Sequence, residues 1–249
     1  IIMSIFNWNK KNHAIYLILY YAIVGELLLA NNYIFYQPSL TGIYIFYLHF
    51  APLWLCTGVL LFFYVKSNLD NKDILQNKYH YLHFIPAIIQ FFALAKYYVM
   101  DKSEKMEYVK IIFNDSNRFF RMEIPGVYFN QVEYLILRPT SMLIYCLICL
   151  YLLIKKYPLF REKMVSKEMR TKKYQMFYIW ILIVINLILA INMIFAFYQV
   201  AFLKNSLNNS AFFYTRGFLF TNLFGQIGSL FLFPSILYGI VPMQNNLRP

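Results

Sequence analysis

The chain has 249 residues, of which 60% are hydrophobic, 20% aromatic and only 14% charged, a balance that a water-facing surface does not tolerate and that excludes a soluble globular domain. The formal net charge of +12 suggests nucleic acid. A DNA-reading surface, however, needs its Lys and Arg on one solvated face, and here they sit in short connections between apolar stretches.

Residues 1–6 are apolar without the layout of a signal peptide. They run into Asn7-Trp8-Asn9-Lys10-Lys11-Asn12, which reads as the tail of an earlier helix leaving a membrane. Further apolar runs predict spans at 14–33, 42–65, 80–100, 132–154, 174–202 and 212–241, each long enough for roughly 30 Å of hydrocarbon. The predicted class is all-α: a polytopic transmembrane helix bundle of six spans, seven with an opening helix upstream. One such bundle uses up the chain as a single domain. A membrane barrel is disfavoured because the apolar residues run continuously rather than alternating in pieces of about ten. Pro38, Pro125 and Pro158 fall between the predicted spans, as helix breakers should.

The connections 66–79 and 155–173 hold many of the 23 Lys and Arg, among them Lys66, Lys78, Lys155, Lys156, Arg161 and Lys173. The positive-inside rule therefore puts these connections, and the C-terminus, in the cytoplasm. The outer connection 101–131 mixes both signs of charge with Ile111, Ile112, Phe113, Phe119 and Phe120. It reads either as an amphipathic cap over the bundle or as a surface loop resting on lipid headgroups.

Three phrases carry a resemblance: Ala51-Pro52-Leu53 followed by Phe62-Phe63-Tyr64-Val65-Lys66-Ser67, then His83-Phe84-Ile85-Pro86, then Phe233-Pro234-Ser235-Ile236-Leu237-Tyr238-Gly239. In order and spacing they resemble the membrane-embedded N-terminal sensor domain of AraC-type transcription regulators found in Bacteroidota. The segment 141–173 is similar to that family's fifth helix and its connection, and the resemblance extends over most of 7–243. It implies a multi-span sensor in a bacterial inner membrane, followed directly by a cytoplasmic helix-turn-helix domain, and dimerisation because that domain acts on DNA in pairs. The chain departs from the family in its missing opening helix. Nothing after Arg248 reads as the output domain, so DNA would be reached only through a part absent from this chain.

Ionisable residues within or beside a span are costly unless they face protein or water, which makes them the default site candidates. Glu26 lies midway along the first predicted span, His49 lies in the second, Glu133 and Arg138 open the fourth, and Arg216 opens the sixth. Glu133, Arg138, Arg216 and Lys96 lie toward the outer side and, with Glu26, form the candidate ligand-binding set. Glu133 and Arg138 are five apart, about 140° round a helix, so they would flank Tyr134 and Pro139 at the mouth of a cavity rather than face one another. The structural alternative has Arg138 and Lys96 snorkelling to headgroups and Glu26 pairing with a neighbouring helix.

Cys146-Leu147-Ile148-Cys149 has redox spacing, yet it lies deep in an apolar span without a basic neighbour, and it reads as small-residue packing. His80 and His83 have a metal-like spacing but supply at most two ligands. With no Gly-rich phosphate loop, paired carboxylates or Ser-centred elbow, no metal, cofactor or catalytic group is expected. In the last span Gly225 and Gly228 permit close helix approach, while Asn222 and Gln226, four apart, offer interhelical hydrogen bonds. Pro234 predicts a kink beyond them. These five residues either transmit a shift to the cytoplasmic end or simply pack tightly.

The expectation is a sensor or receptor-like module that couples an outer or intramembrane signal to a cytoplasmic output. The competing class is an integral subunit of a larger membrane complex, in a bacterial or organellar inner membrane. A small-solute transporter is less favoured, because no pair of Gly/Pro-broken spans occupies corresponding halves.

Overall fold

The computed structural model describes residues 14–70, 74–120, 122–123, 131–162 and 169–201, and every regular element among them is helical. Helix α1 (Ala14–Asn31) continues into a π-helical turn, Asn32–Tyr36. Helix α2 (Leu40–Phe46) starts where the Ser39 hydroxyl accepts the Gly42 N–H at 3.3 Å, satisfying one of the donors a helix start leaves open.

The predicted span 42–65 is not continuous. Pro52 lacks an N–H, and its ring obstructs the carbonyl four residues back, at Leu48. The chain turns there, with Leu48 at φ 58°, a left-handed conformation that costs a residue with a Cβ about 1–2 kcal/mol. It then restarts as α3 (Ala51–Trp54) and α4 (Cys56–Asp70), with Pro52 in the first turn of α3.

The predicted span 80–100 is also broken. It comprises a 3₁₀ helix (Lys78–Phe84), α5 (Ile85–Ala93) and α6 (Ala95–Val99), with Pro86 in the first turn of α5. His80 Nε2 lies 3.3 Å from Lys66 Nζ, the His83 ring lies tilted 5.1 Å from that of Phe62, and the Tyr98 hydroxyl donates to the His49 carbonyl. The segment therefore runs antiparallel along the whole of α3–α4.

Beyond it come α7 (Lys102–Asn114), a 3₁₀ turn (Ser116–Phe120), α8 (Gln131–Glu162) and α9 (Met169–Ala201). Pro158, expected between spans, lies inside α8, whose backbone stays helical to Glu162. A proline removes one hydrogen bond of the ladder, but a long membrane helix can absorb the loss through local adjustment. Near Pro139 the Thr140 hydroxyl donates to the Ile136 carbonyl at 2.7 Å.

Four helical segments among the described residues are long and apolar enough to cross a membrane: Ile15–Tyr36, Ala51–Asp70, Ile136–Lys156 and Met176–Gln199. The predicted span 212–241 lies outside the described residues. The α3–α4 segment is the hub, with 83% of its apolar window buried against 33–39% for the other three. Helix α1 packs along α4, and α8 packs between α4 and α9. What α8 and α9 turn outward is also apolar, at Ile144, Leu147, Ile148, Tyr151 and Ile154 on α8, and at Val184, Ile188, Ile191 and Phe195 on α9. Helices that are apolar on both faces need an apolar surrounding, and this carries the reading of the protein as a membrane protein.

The core divides into two clusters stacked along the bundle. One holds Tyr20, Phe63, Cys146, Cys149 and Ile179, with Cys146 and Cys149 fully buried as free thiols. The other holds Tyr47, Trp54, Tyr97, Ile112, Met193 and Phe197. Polar ties cross the first cluster: the Tyr20 hydroxyl donates to Asn186 Oδ1, Asn186 Nδ2 donates to the Leu182 carbonyl at 2.8 Å, and the hydroxyls of Tyr21 and Tyr178 are hydrogen-bonded. In an apolar surrounding such groups must find partners within the protein.

At the end of the bundle bearing Lys66, an ion pair joins Asp70 of α4 to Lys156 of α8, with both side chains about 30% exposed. Asp70→Asn is expected to cost no more than about 1 kcal/mol, because a pair open to water gains little net energy. Unfolding of the purified protein by titrated SDS would check this.

Candidate functional site

The second cluster contains a buried arginine. Arg138, on α8, is only 6% exposed. Its guanidinium carbon lies 5.1 Å from the Trp54 ring centroid and 6.0 Å from that of Phe197, and Nη2 donates to the Met193 thioether at 3.9 Å. Four elements make the site: α3 presents Trp54 because the Pro52 restart turns it inward, α9 presents Met193 and Phe197 one turn apart, α8 carries Arg138, and α1 carries Glu26.

Glu26 is half-buried, and its Oε2 accepts the Trp54 indole N–H. Its Oε1 is buried and has no hydrogen-bond partner among the described residues. Glu26 and Arg138 feel each other's charge, yet they do not form an ion pair within 4.0 Å; among the described residues such pairs are Arg118–Asp115 and Lys156–Asp70. The indole serves both charges, giving its edge donor to the carboxylate and its face to the guanidinium.

Magnitudes show what this arrangement must balance. Burying an ion costs several kcal/mol even after relaxation. Cation–π contact with a desolvated ring returns about 2 kcal/mol, and a thioether is a weak acceptor. The rings therefore offset only part of the cost for Arg138, and the field of Glu26 supplies a further share. Removing Glu26 leaves the Arg138 guanidinium buried without its complement.

A cap covers this end of the bundle. Helix α7 packs on α2, and its Val109 and Ile112, with Phe119 of the following turn, enter the same cluster as Trp54, Met193 and Phe197. Of the two readings of the connection 101–131, the described part takes the form of the cap. It is pinned by Lys105, itself only 7% exposed, whose Nζ donates to the Tyr98 carbonyl at 3.0 Å and lies 5.2 Å from the Tyr97 ring centroid. Tyr97 in turn donates to the Tyr47 carbonyl at 3.0 Å. His49 packs its ring 5.1 Å from that of Tyr97, and its buried Nδ1 has no hydrogen-bond partner among the described residues.

The structure thus brings Glu26 and Arg138 to one indole. Glu133 is exposed on α8, and Lys96 is exposed on α6. Arg216, Asn222, Gly225, Gln226, Gly228 and Pro234 lie outside the described residues. Sequence reasoning missed Trp54, Met193, Phe197 and Lys105. Trp54, two residues beyond Pro52, carried a readable signal as a large amphipathic side chain beside a helix break. Met193 and Phe197 carried none, being of the same types as their lipid-facing neighbours. Among the described residues no group of three His, Cys, Asp or Glu side chains is placed to hold a metal ion.

Comparison with protein-family models, with curated proteins and with solved structures finds no match to this chain.

Proposed function

We propose that the protein is a membrane-embedded sensor or receptor-like module, in which the Glu26–Trp54–Arg138 site reads a signal and the helices that build it carry the change to the other end of the bundle. One observation supports this most: a half-buried carboxylate on α1 and a buried guanidinium on α8 meet the same indole on a third element without pairing directly. Such a trio has an alternative packing nearby, in which the charges meet directly, and a ligand with different affinity for the two packings would shift their populations. Helix α9 feels the difference through Met193 and Phe197 and extends to the far end of the bundle.

In this reading the bundle is polytopic, with six spans in the full chain. The broken segment 78–99 is read as a crossing because it follows α3–α4 from Lys66 to His49, and because at its break the Leu94 N–H still bonds to the Gln90 carbonyl and the Tyr98 N–H to the Leu94 carbonyl, each at 3.1 Å, as backbone groups at membrane depth require. The basic connections 66–79 and 155–173 and the C-terminus face the cytoplasm of a bacterial cell, with the site toward the outer side. The output is transcriptional, through a helix-turn-helix domain following this chain and acting as a dimer, as the resemblance to AraC-type regulators implies.

The test is the intact mass of the protein produced from its native gene. A mass exceeding the 29.9 kDa of this chain by a domain of roughly 100 residues is expected. A mass near 29.9 kDa would remove the transcriptional output and favour the subunit of a membrane complex, whose partners would then co-purify in mild detergent.

A further inference from the structure

Resting on the reading of this site as the signal-binding one, we infer that its ligand is a small zwitterion with an apolar side chain, of the α-amino acid class. The unmet chemistry of the site defines that class. Glu26 Oε1 is buried and lacks a donor, and burying an acceptor without one is costly. The Arg138 guanidinium, with five N–H donors, holds a thioether at 3.9 Å, a poor substitute for an anionic oxygen. A ligand that answers both must carry a cationic or neutral N–H donor for Glu26 and a carboxylate for Arg138, close together because both protein charges sit on one indole. The rest of the surroundings, Trp54, Met193 and Phe197, is apolar and aromatic, so the remainder of the ligand is apolar. A simple anion would meet repulsion from Glu26, and a simple amine repulsion from Arg138. The zwitterion alone has complementary charge at both ends.

The same geometry couples binding to movement. A carboxylate that takes the Nη2 donor displaces the Met193 thioether, a weak acceptor at 3.9 Å. Met193 sits on α9, four residues before Phe197, so ligand entry pushes on that helix.

The test uses the full chain in lipid nanodiscs and three probes of matched side chain: leucine, 4-methylpentanoate, which lacks the ammonium, and 3-methylbutylamine, which lacks the carboxylate. Calorimetric titration is expected to show leucine binding at least about tenfold tighter than either analogue, since a site built around a polar group strongly rejects the molecule lacking it. Glu26→Gln keeps an acceptor for Trp54 and should fold. It is expected to narrow the gap between leucine and 4-methylpentanoate while retaining the preference of both over the amine. No leucine binding at millimolar concentration, equal binding of all three probes, or a preference unchanged in Glu26→Gln would each overturn the ligand class and point to an ordered water in the site instead. Hydrogen exchange of the 155–173 region, recorded with and without leucine, separates the two readings. Binding with unchanged exchange keeps the zwitterion site and removes the sensor function.

Discussion

Trp54→Ala is expected to lower the stability of the folded bundle by about 3 kcal/mol, at the lower end of the range for removing a buried tryptophan. Part of the usual cost is absent, because lipid is as apolar as the core and little is gained by hiding carbon from it. What remains is the lost dispersion contact around a large void and two polar losses. Glu26 would have both carboxylate oxygens without the indole donor, and Arg138 would lose the nearer of its two rings. Trp54→Phe separates these contributions. It keeps a ring under the guanidinium but removes the N–H, so it should cost about 1–3 kcal/mol, the penalty of a buried acceptor left without its donor. Combining Trp54→Phe with Glu26→Leu should recover much of that loss, since an absent carboxylate needs no donor. Unfolding of each variant in mixed micelles by titrated SDS, followed by far-UV circular dichroism, gives the comparison. If Trp54→Phe proves neutral, the indole does not hold the carboxylate, and the proposed switch has no pivot.

The elements that were legible in the sequence are those where one long apolar run forms one helix. The runs 14–33, 132–154 and 174–202 fall on α1, α8 and α9 within a few residues at most ends, because continuous apolar character and internal backbone bonding leave a chain in lipid few other choices. The runs 42–65 and 80–100 misled because hydropathy alone reads through their interruptions: Pro52 obstructs the carbonyl four residues earlier and Pro86 stands where a 3₁₀ helix gives way to α5, while the further break at Leu94, between α5 and α6, has no proline to announce it. The site divides in a similar way. Glu26 and Arg138 stand out in sequence because a charge in an apolar run is rare. That they approach one another, and do so across Trp54, depends on where three separate helices meet, and no local pattern records that.

Gly58→Leu is expected to be the most damaging single change at the hub, costing at least about 3 kcal/mol and lowering the yield of folded protein. A Cβ at position 58 would sit 2.8 Å from Tyr145 Cδ2, 3.2 Å from Tyr145 Cβ and 3.2 Å from the Met142 Cα. The last of these is backbone, so α4 and α8 would have to separate. Nor can Tyr145 swing away freely, because its hydroxyl is hydrogen-bonded to His83 Nδ1 at 2.9 Å and its ring lies beside Phe62 and His83. Even Gly58→Ala should therefore cost about 1–2 kcal/mol, although alanine is the better helix former by nearly 1 kcal/mol. Gly25 on α1 supplies the control. Nothing lies within 4 Å of a Cβ built there, so Gly25→Ala should be neutral or stabilising by up to about 1 kcal/mol. SDS unfolding of the two alanine variants distinguishes packing from propensity. Equal effects at both positions would mean that α4 and α8 do not approach as closely as the hub requires. A loss confined to Gly58 would tie the broken 78–99 segment to the α4–α8 contact through Tyr145 and His83, and so join the middle of the bundle to the helix that carries Arg138.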